Sequence, residues 1–214
     1  VARVLQALGH DAVVPDLRHV AAGSPPYWPR AAATVAEAMG QLDEPGGVVL
    51  VAHSNAGLLL PTIAAASPRP VLGAVHVDAA LPAKPGPSAA APATMLEMLR
   101  AMAGTDGRLP RWTDWWPAED VAALVHDTQV RDEIVAEQPR LPLDYYEQLL
   151  PVPAAWWSVP MAYLRLSEAY DEELAAAELS GWPTARMNGQ HLHAVVDPVG
   201  VADALLDLVG RLRR

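Results

Sequence analysis

Two short stretches of the sequence carry side chains able to break a bond. The first is Ala52-His53-Ser54-Asn55-Ala56-Gly57, a serine with small residues two places before and two places after it. A serine hydroxyl becomes a useful nucleophile when a neighbouring base takes its proton, and the charge that develops on an attacked carbonyl needs hydrogen-bond donors aimed at it. The second stretch is Asn188-Gly189-Gln190-His191-Leu192-His193, shortly before Asp197-Pro198. It carries two imidazoles, the group best suited to moving protons near neutral pH. His-x-His spacing also serves metals in other folds, but no Asp, Glu or His cluster at ligand spacing accompanies it, so no metal and no cofactor are expected. The chain has no cysteine, which excludes thiolate zinc sites, disulfides and a cysteine nucleophile.

The elements around these stretches can hold them at a bend. Val48-Val49-Leu50-Val51-Ala52 is a continuous apolar run, the pattern of a strand buried on both faces. Leu58 to Ala66 reads as a helix, with Pro61 allowed in its first turn. A serine between such a strand and helix is forced into a strained backbone conformation that only small neighbours such as Ala52 and Ala56 permit. The bend lifts the Ser54 hydroxyl to the carboxyl end of the strand and points the Asn55 backbone N–H at a developing oxyanion.

Further strands are expected at Asp11 to Val14, at Val71 to Val77 ending on Asp78, at Met161 to Leu166 and near Thr184 to Met187. Helical patterns lie before Gly9, over 30–40, over 170–180 and from Pro198 to Leu212. Strands alternating with helices imply parallel pairing through right-handed crossovers, hence an α/β fold with a mostly parallel sheet and helices on both faces. That alternation stops between Leu81 and Pro160. There a Pro/Ala linker at 82–93 leads into helical pieces near 94–103, 118–137 and 143–150, with Trp112, Trp115, Trp116, Trp156 and Trp157. Residues 1–81 and 160–214 are therefore read as a core, and 82–159 as an inserted helical cap. The tryptophans of the insertion either line an acyl or alcohol pocket or anchor the cap.

A chain of 214 residues with 51% hydrophobic content suits one domain with a sizeable core. The formal charge of −10, with no basic cluster before the Arg211, Arg213, Arg214 tail, argues against a nucleic-acid partner. No apolar run approaches the roughly 18–20 residues of a membrane span, and no charged-then-apolar secretion signal opens the chain, so a cytoplasmic protein without membrane partners is expected. One lysine against fourteen arginines suits high-GC bacterial coding.

Together the serine bend, the late His191 loop and the Val77-Asp78-Ala79-Ala80-Leu81-Pro82 turn resemble the α/β-hydrolase superfamily, most closely its small bacterial esterase-like members. The resemblance runs from Gly9-His10 and Pro15-Asp16-Leu17 to the terminal helix, with alanine replacing each glycine of the family's G-x-S-x-G. It implies a serine hydrolase acting on a small apolar carboxylic ester, thioester or lactone through a Ser-acid-His triad. Ser54 would be the nucleophile, Asn55 an oxyanion donor and His191 the base, with His193 an alternative base. For the acid the resemblance leaves three candidates: Asp78 at the position some lipases use, and Glu168 or Asp171 just beyond the strand where the family usually supplies an aspartate. His53 is expected to pack beneath the bend, His76 to be a hydrogen-bonded core residue, and Asp16 to cap a loop. The family's second oxyanion donor comes from an early His-Gly loop, and none precedes the first helix here, so the chain is expected to lack the N-terminal strands and that loop. One missing donor costs roughly 10²–10³-fold in rate. A catalytically impaired or non-catalytic relative that binds an apolar small molecule is the alternative.

Overall fold

The computed structural model describes residues 1–43, 45–84 and 86–212. Arg213 and Arg214 of the basic tail lie outside the described residues. The strands are β1 (Val48–Ser54), β2 (Val71–Ala79), β3 (Ser88–Ala89), β4 (Leu149–Leu150), β5 (Met161–Arg165) and β6 (Thr184–Arg186). The helices are α1 (Ala2–Ala7), α2 (Trp28–Gly40), α3 (Leu60–Ala66), α4 (Ala93–Met102), α5 (Ala118–Leu124), α6 (Thr128–Glu137), α7 (Asp144–Glu147), α8 (Asp171–Leu179), α9 (His193–Val196) and α10 (Pro198–Leu212).

The main sheet runs β1-β2-β5-β6, and every pair in it is parallel. Alternation along each strand sends side chains to two faces. Leu50 and Ala52 of β1, Ala74 of β2 and Met161 of β5 pack with Ala31, Ala32 and Met39 of α2 and Leu60 and Ile63 of α3. Val75 and Val77 of β2 and Ala162 and Leu164 of β5 turn the other way, onto Val201, Leu205 and Leu208 of α10. Helices therefore cover both faces. α3 opens with Pro61 in its first turn, where a missing N–H costs no helical hydrogen bond.

Three local expectations are corrected. Residues 11–14 do not form a strand: Val14 is 75% exposed, and the Ala12 carbonyl takes the Gln6 side-chain amide at 2.7 Å. An apolar run becomes a strand only where a neighbour pairs its backbone, and no described strand pairs with it. β1 is a sheet edge among the described residues, not a strand covered on both faces, since Val51 is 49% exposed. The helix expected over 143–150 stops at Glu147, and Leu149–Leu150 pairs antiparallel with Ser88–Ala89.

Trp156, expected in the cap, is instead buried in the cluster of Leu50, Leu60 and Met161, with Trp157 packed against that cluster. The stretch 93–147 carries a small core of its own, in which Leu99, Leu109 and Tyr146 are buried and Trp115 packs alongside. No helix among the described residues is long and apolar enough to cross a membrane.

Candidate active site

Ser54 ends β1 with φ +60° and ψ −136° and is followed directly by a 3₁₀ turn, Asn55–Leu59. A left-handed φ in a residue with a Cβ costs on the order of 1–3 kcal/mol and persists only where the surroundings enforce it. The enforcement is visible: the β1–β2 register slips between His53 and Ser54, and the Ser54 carbonyl accepts the Ala80 N–H at 3.1 Å. Behind the serine, a Cβ on Gly57 would stand 2.3 Å from the Ala80 carbonyl oxygen and 3.1 Å from both the Ala79 Cβ and the His76 Nδ1. Three residues beyond Ser54 only glycine fits. The Asn55 side chain donates to the Ala90 carbonyl at 2.8 Å, which ties the chain beyond β3 to the bend.

Asp78, near the end of β2, has φ +43°, and it and Ser54 are the two non-glycine residues with positive φ among those described. Its carboxylate is fully buried yet well partnered. Oδ1 accepts the backbone N–H of Leu166 at 2.7 Å and of Ser167 at 2.9 Å, and Oδ2 accepts the Ser167 hydroxyl at 2.5 Å. The fourth donor is His191 Nδ1, 3.0 Å from Oδ2. Burial pushes the Asp78 carboxyl up, but the bonds from His191 and Ser167 and from the backbone N–H groups outweigh it and hold the group below the usual carboxylate range. Because Nδ1–H donates to a carboxylate, Nε2 is the free lone pair of a neutral His191. That nitrogen faces the Ser54 Oγ at 3.0 Å.

His191 is braced from several sides. His53 Nε2–H donates to the His191 carbonyl at 2.8 Å, and the two rings lie 4.4 Å apart. Burial first, then the neighbouring His191, lowers the His53 pKa to about 4, so His53 holds the loop as a neutral donor. Tyr170 stacks on His191 with centroids 5.0 Å apart and planes 10° from parallel, and its hydroxyl stands 3.4 Å from the Ser54 Oγ. Trp112 lies 6.1 Å from His191, with Trp116 against it. No local pattern marks Tyr170 for this place, although it lies between Glu168 and Asp171, the two candidate acids beyond β5.

The other candidates lie apart from this line. Glu168 is exposed on the 3₁₀ turn Glu168–Tyr170 and makes no hydrogen bond to His191; both line a cavity of about 490 Å³ with Ser167 and Gln190. Asp171 is exposed, and its carboxylate takes the Arg165 Nε at 2.7 Å. His193 opens α9, its N–H on the Gln190 carbonyl. Asp16 accepts both the backbone N–H and the guanidinium of Arg18. Among the described residues no group of three His, Asp or Glu side chains could hold a metal ion.

No family model matches the sequence, and no curated protein matches it either. Solved structures do match. An extracellular α/β-hydrolase from a Paenibacillus species superposes with a TM-score of 0.74 over 97% of this chain and 90% of its own, at 16% identity. The chain has the α/β-hydrolase fold. A polyneuridine aldehyde esterase gives a TM-score of 0.66 at 16% identity, covering 97% of this chain and 91% of its own. The pyrethroid hydrolase PytH gives 0.63 at 15% identity, covering 100% and 92%. Open α/β sheets gather ligand-binding groups at the carboxyl ends of their strands. In this α/β-hydrolase fold Ser54, Asp78, the turn beyond β5 and the loop between β6 and α9 all lie at that edge.

Proposed function

We propose that the chain is a serine hydrolase that cleaves a small apolar carboxylic ester, thioester or lactone. Ser54 is the nucleophile, His191 the general base and then acid, Asp78 the carboxylate that orients His191, and the Asn55 backbone N–H an oxyanion donor. The observation that carries this reading is the unbroken line from Ser54 Oγ through His191 to Asp78, with a 3.0 Å step on each side of the imidazole. Two of the similar structures are named an esterase and a pyrethroid hydrolase, in keeping with ester cleavage.

The chemistry follows from that line. Ser54 Oγ attacks the carbonyl carbon while its proton passes to His191 Nε2. The carbonyl oxygen becomes an oxyanion beside Asn55, whose N–H stands in the first turn of a helical segment, where backbone donors have no intrahelical acceptor. Collapse breaks the bond to the leaving oxygen or sulfur, which takes the proton from His191. Water, deprotonated by His191, then attacks the acyl-serine, and the proton returns to Ser54. Asp78 keeps Nδ1 protonated throughout and stabilises the imidazolium. Trp112 and Trp116 offer flat apolar walls next to the imidazole.

The test is covalent labelling with a fluorophosphonate probe together with hydrolysis of p-nitrophenyl esters of graded chain length. Labelling and turnover are expected in the unsubstituted chain, and both are expected to vanish in Ser54→Ala. A folded sample that neither labels nor turns over any ester overturns the proposal and favours a binding protein.

A further inference from the structure

We propose that Tyr170 is a positioning residue of this site, its ring face holding the His191 imidazole in place and favouring the ring when it carries a proton. The consequence for rate rests on the hydrolase reading above; the assignment to His191 does not. In each half of the proposed reaction His191 passes through an imidazolium, and a cation within about 6 Å of an aromatic centroid, over its face, is attracted by the ring quadrupole. The near-parallel stack at 5.0 Å meets that condition.

The local chain explains why the tyrosine sits there. Leu166 and Ser167 grip both oxygens of Asp78, and the 3₁₀ turn that follows returns the chain so that Tyr170 faces the imidazole bonded to the same carboxylate. One run of five residues thus holds the acid by its N–H and O–H groups and the base by its ring. The tyrosine hydroxyl, 3.4 Å from the Ser54 Oγ, closes the third side as a long contact. The remaining groups around His191 are Asp78 from β2, His53 and Ser54 from β1 and Trp112, with Arg165 and Glu168 along the shared cavity wall. Of the charged groups among them, only Asp78 bonds the imidazole ring.

The experiment follows the His191 ring titration by NMR in the intact chain and in Tyr170→Leu and Tyr170→Phe. A second ringless variant, Tyr170→Gln, guards against a folding failure of the first. Loss of the ring removes support from the protonated form, so the midpoint is expected to fall by about half a pH unit in Tyr170→Leu and Tyr170→Gln. Tyr170→Phe keeps the face and is expected to keep the midpoint. In ester hydrolysis the ringless variants are expected to lose roughly three- to tenfold in kcat with KM little changed, and Tyr170→Phe to recover most of it. An unchanged or raised midpoint in the ringless variants overturns the proposal whatever the ester assay gives. A lowered midpoint in a chain that cleaves no ester upholds the role of Tyr170 and counts against the hydrolase reading instead.

Discussion

The carboxyl ends of β1 and β2 and the helical stretch 93–147 hold their side chains in position by different means. At the strand ends, position comes from burial and backbone geometry. Ser54 and Asp78 both stand at positive φ, and the Asp78 carboxylate is shut from water with four donors on its two oxygens. In the helical stretch, α5 and α6 bury no residue, and the ion pairs Arg100–Glu147 and Arg140–Asp106 are open to solvent. The first region cannot move one group without unpairing another. The second can shift its outer helices at little cost, which under the proposed function would let it adapt to substrate.

The sharpest way to break that contrast is to neutralise, one at a time, two of the three carboxylates that are candidates for the acid. Asp78→Asn keeps the shape and an acceptor for the backbone N–H groups but frees His191 to take the other tautomer, and kcat on a p-nitrophenyl ester is expected to fall about 10⁴-fold. Glu168→Gln, on an exposed turn, is expected to change kcat less than about twofold. Equal losses in the two variants would mean that the buried network is not what orients the base.

The same contrast governs how much could be read from residue order. Val71 to Val77 and Met161 to Leu166 are apolar runs interrupted by His76 and Arg165 alone, and the strands lie there because helices pack on both faces of the sheet. Ser54 and His191 were legible because a strained bend and a late loop leave marks in small residues and glycines nearby. The acid was not settled. Asp78, Glu168 and Asp171 all stand at or just beyond strand ends, and what separates them is the approach of Leu166 and Ser167 to Asp78 across 88 and 89 residues, which no local pattern records. Val13 and Val14 misled for the opposite reason, since an apolar run carries no sign of whether a neighbour will pair with it. Trp156 was assigned to the insertion by its place in the chain, whereas its contacts belong to the sheet.

A smaller effect separates the regions by pH. Neither ring nitrogen of His76 makes a hydrogen bond of good geometry, and the ring lies among Trp156, Tyr163 and Trp182. Burial, set against a weaker pull from the Ala80 carbonyl, lowers its pKa to about 4, the same value as for His53. Between roughly 6.5 and 4 the unfolded chain therefore binds protons that the folded chain refuses, so folding free energy falls as pH falls through that window, by about 1.4 kcal/mol per pH unit for each histidine. Asp78, held below its usual range, adds a further loss at lower pH, as its folded form is protonated. Urea denaturation at pH 7 and at pH 4.5 is expected to show a clearly lower midpoint in acid, and His76→Phe a shallower slope by one histidine's share. An unchanged slope in His76→Phe would show that the ring already takes up its proton in the folded state.

The least effect is expected in the helical stretch, and its smallness is what makes it informative. The Arg100 guanidinium on α4 meets the Glu147 carboxylate on α7 through Nε at 2.9 Å and Nη2 at 2.8 Å, good geometry by any standard. Yet the two side chains are 55% and 37% exposed, and in that setting water and salt screen the attraction while ordering two long side chains opposes it. Arg100→Gln is expected to lower folding free energy by less than about 1 kcal/mol, and added salt to weaken the unsubstituted chain by a similarly small amount. The reason lies beneath the pair, where Leu99, Leu109 and Tyr146 are already buried and hold α4 against the residues around α7 without it. A loss above about 2 kcal/mol in urea denaturation would reverse that order of causes, because an exposed pair has no such energy to give unless the helices depend on it for their place.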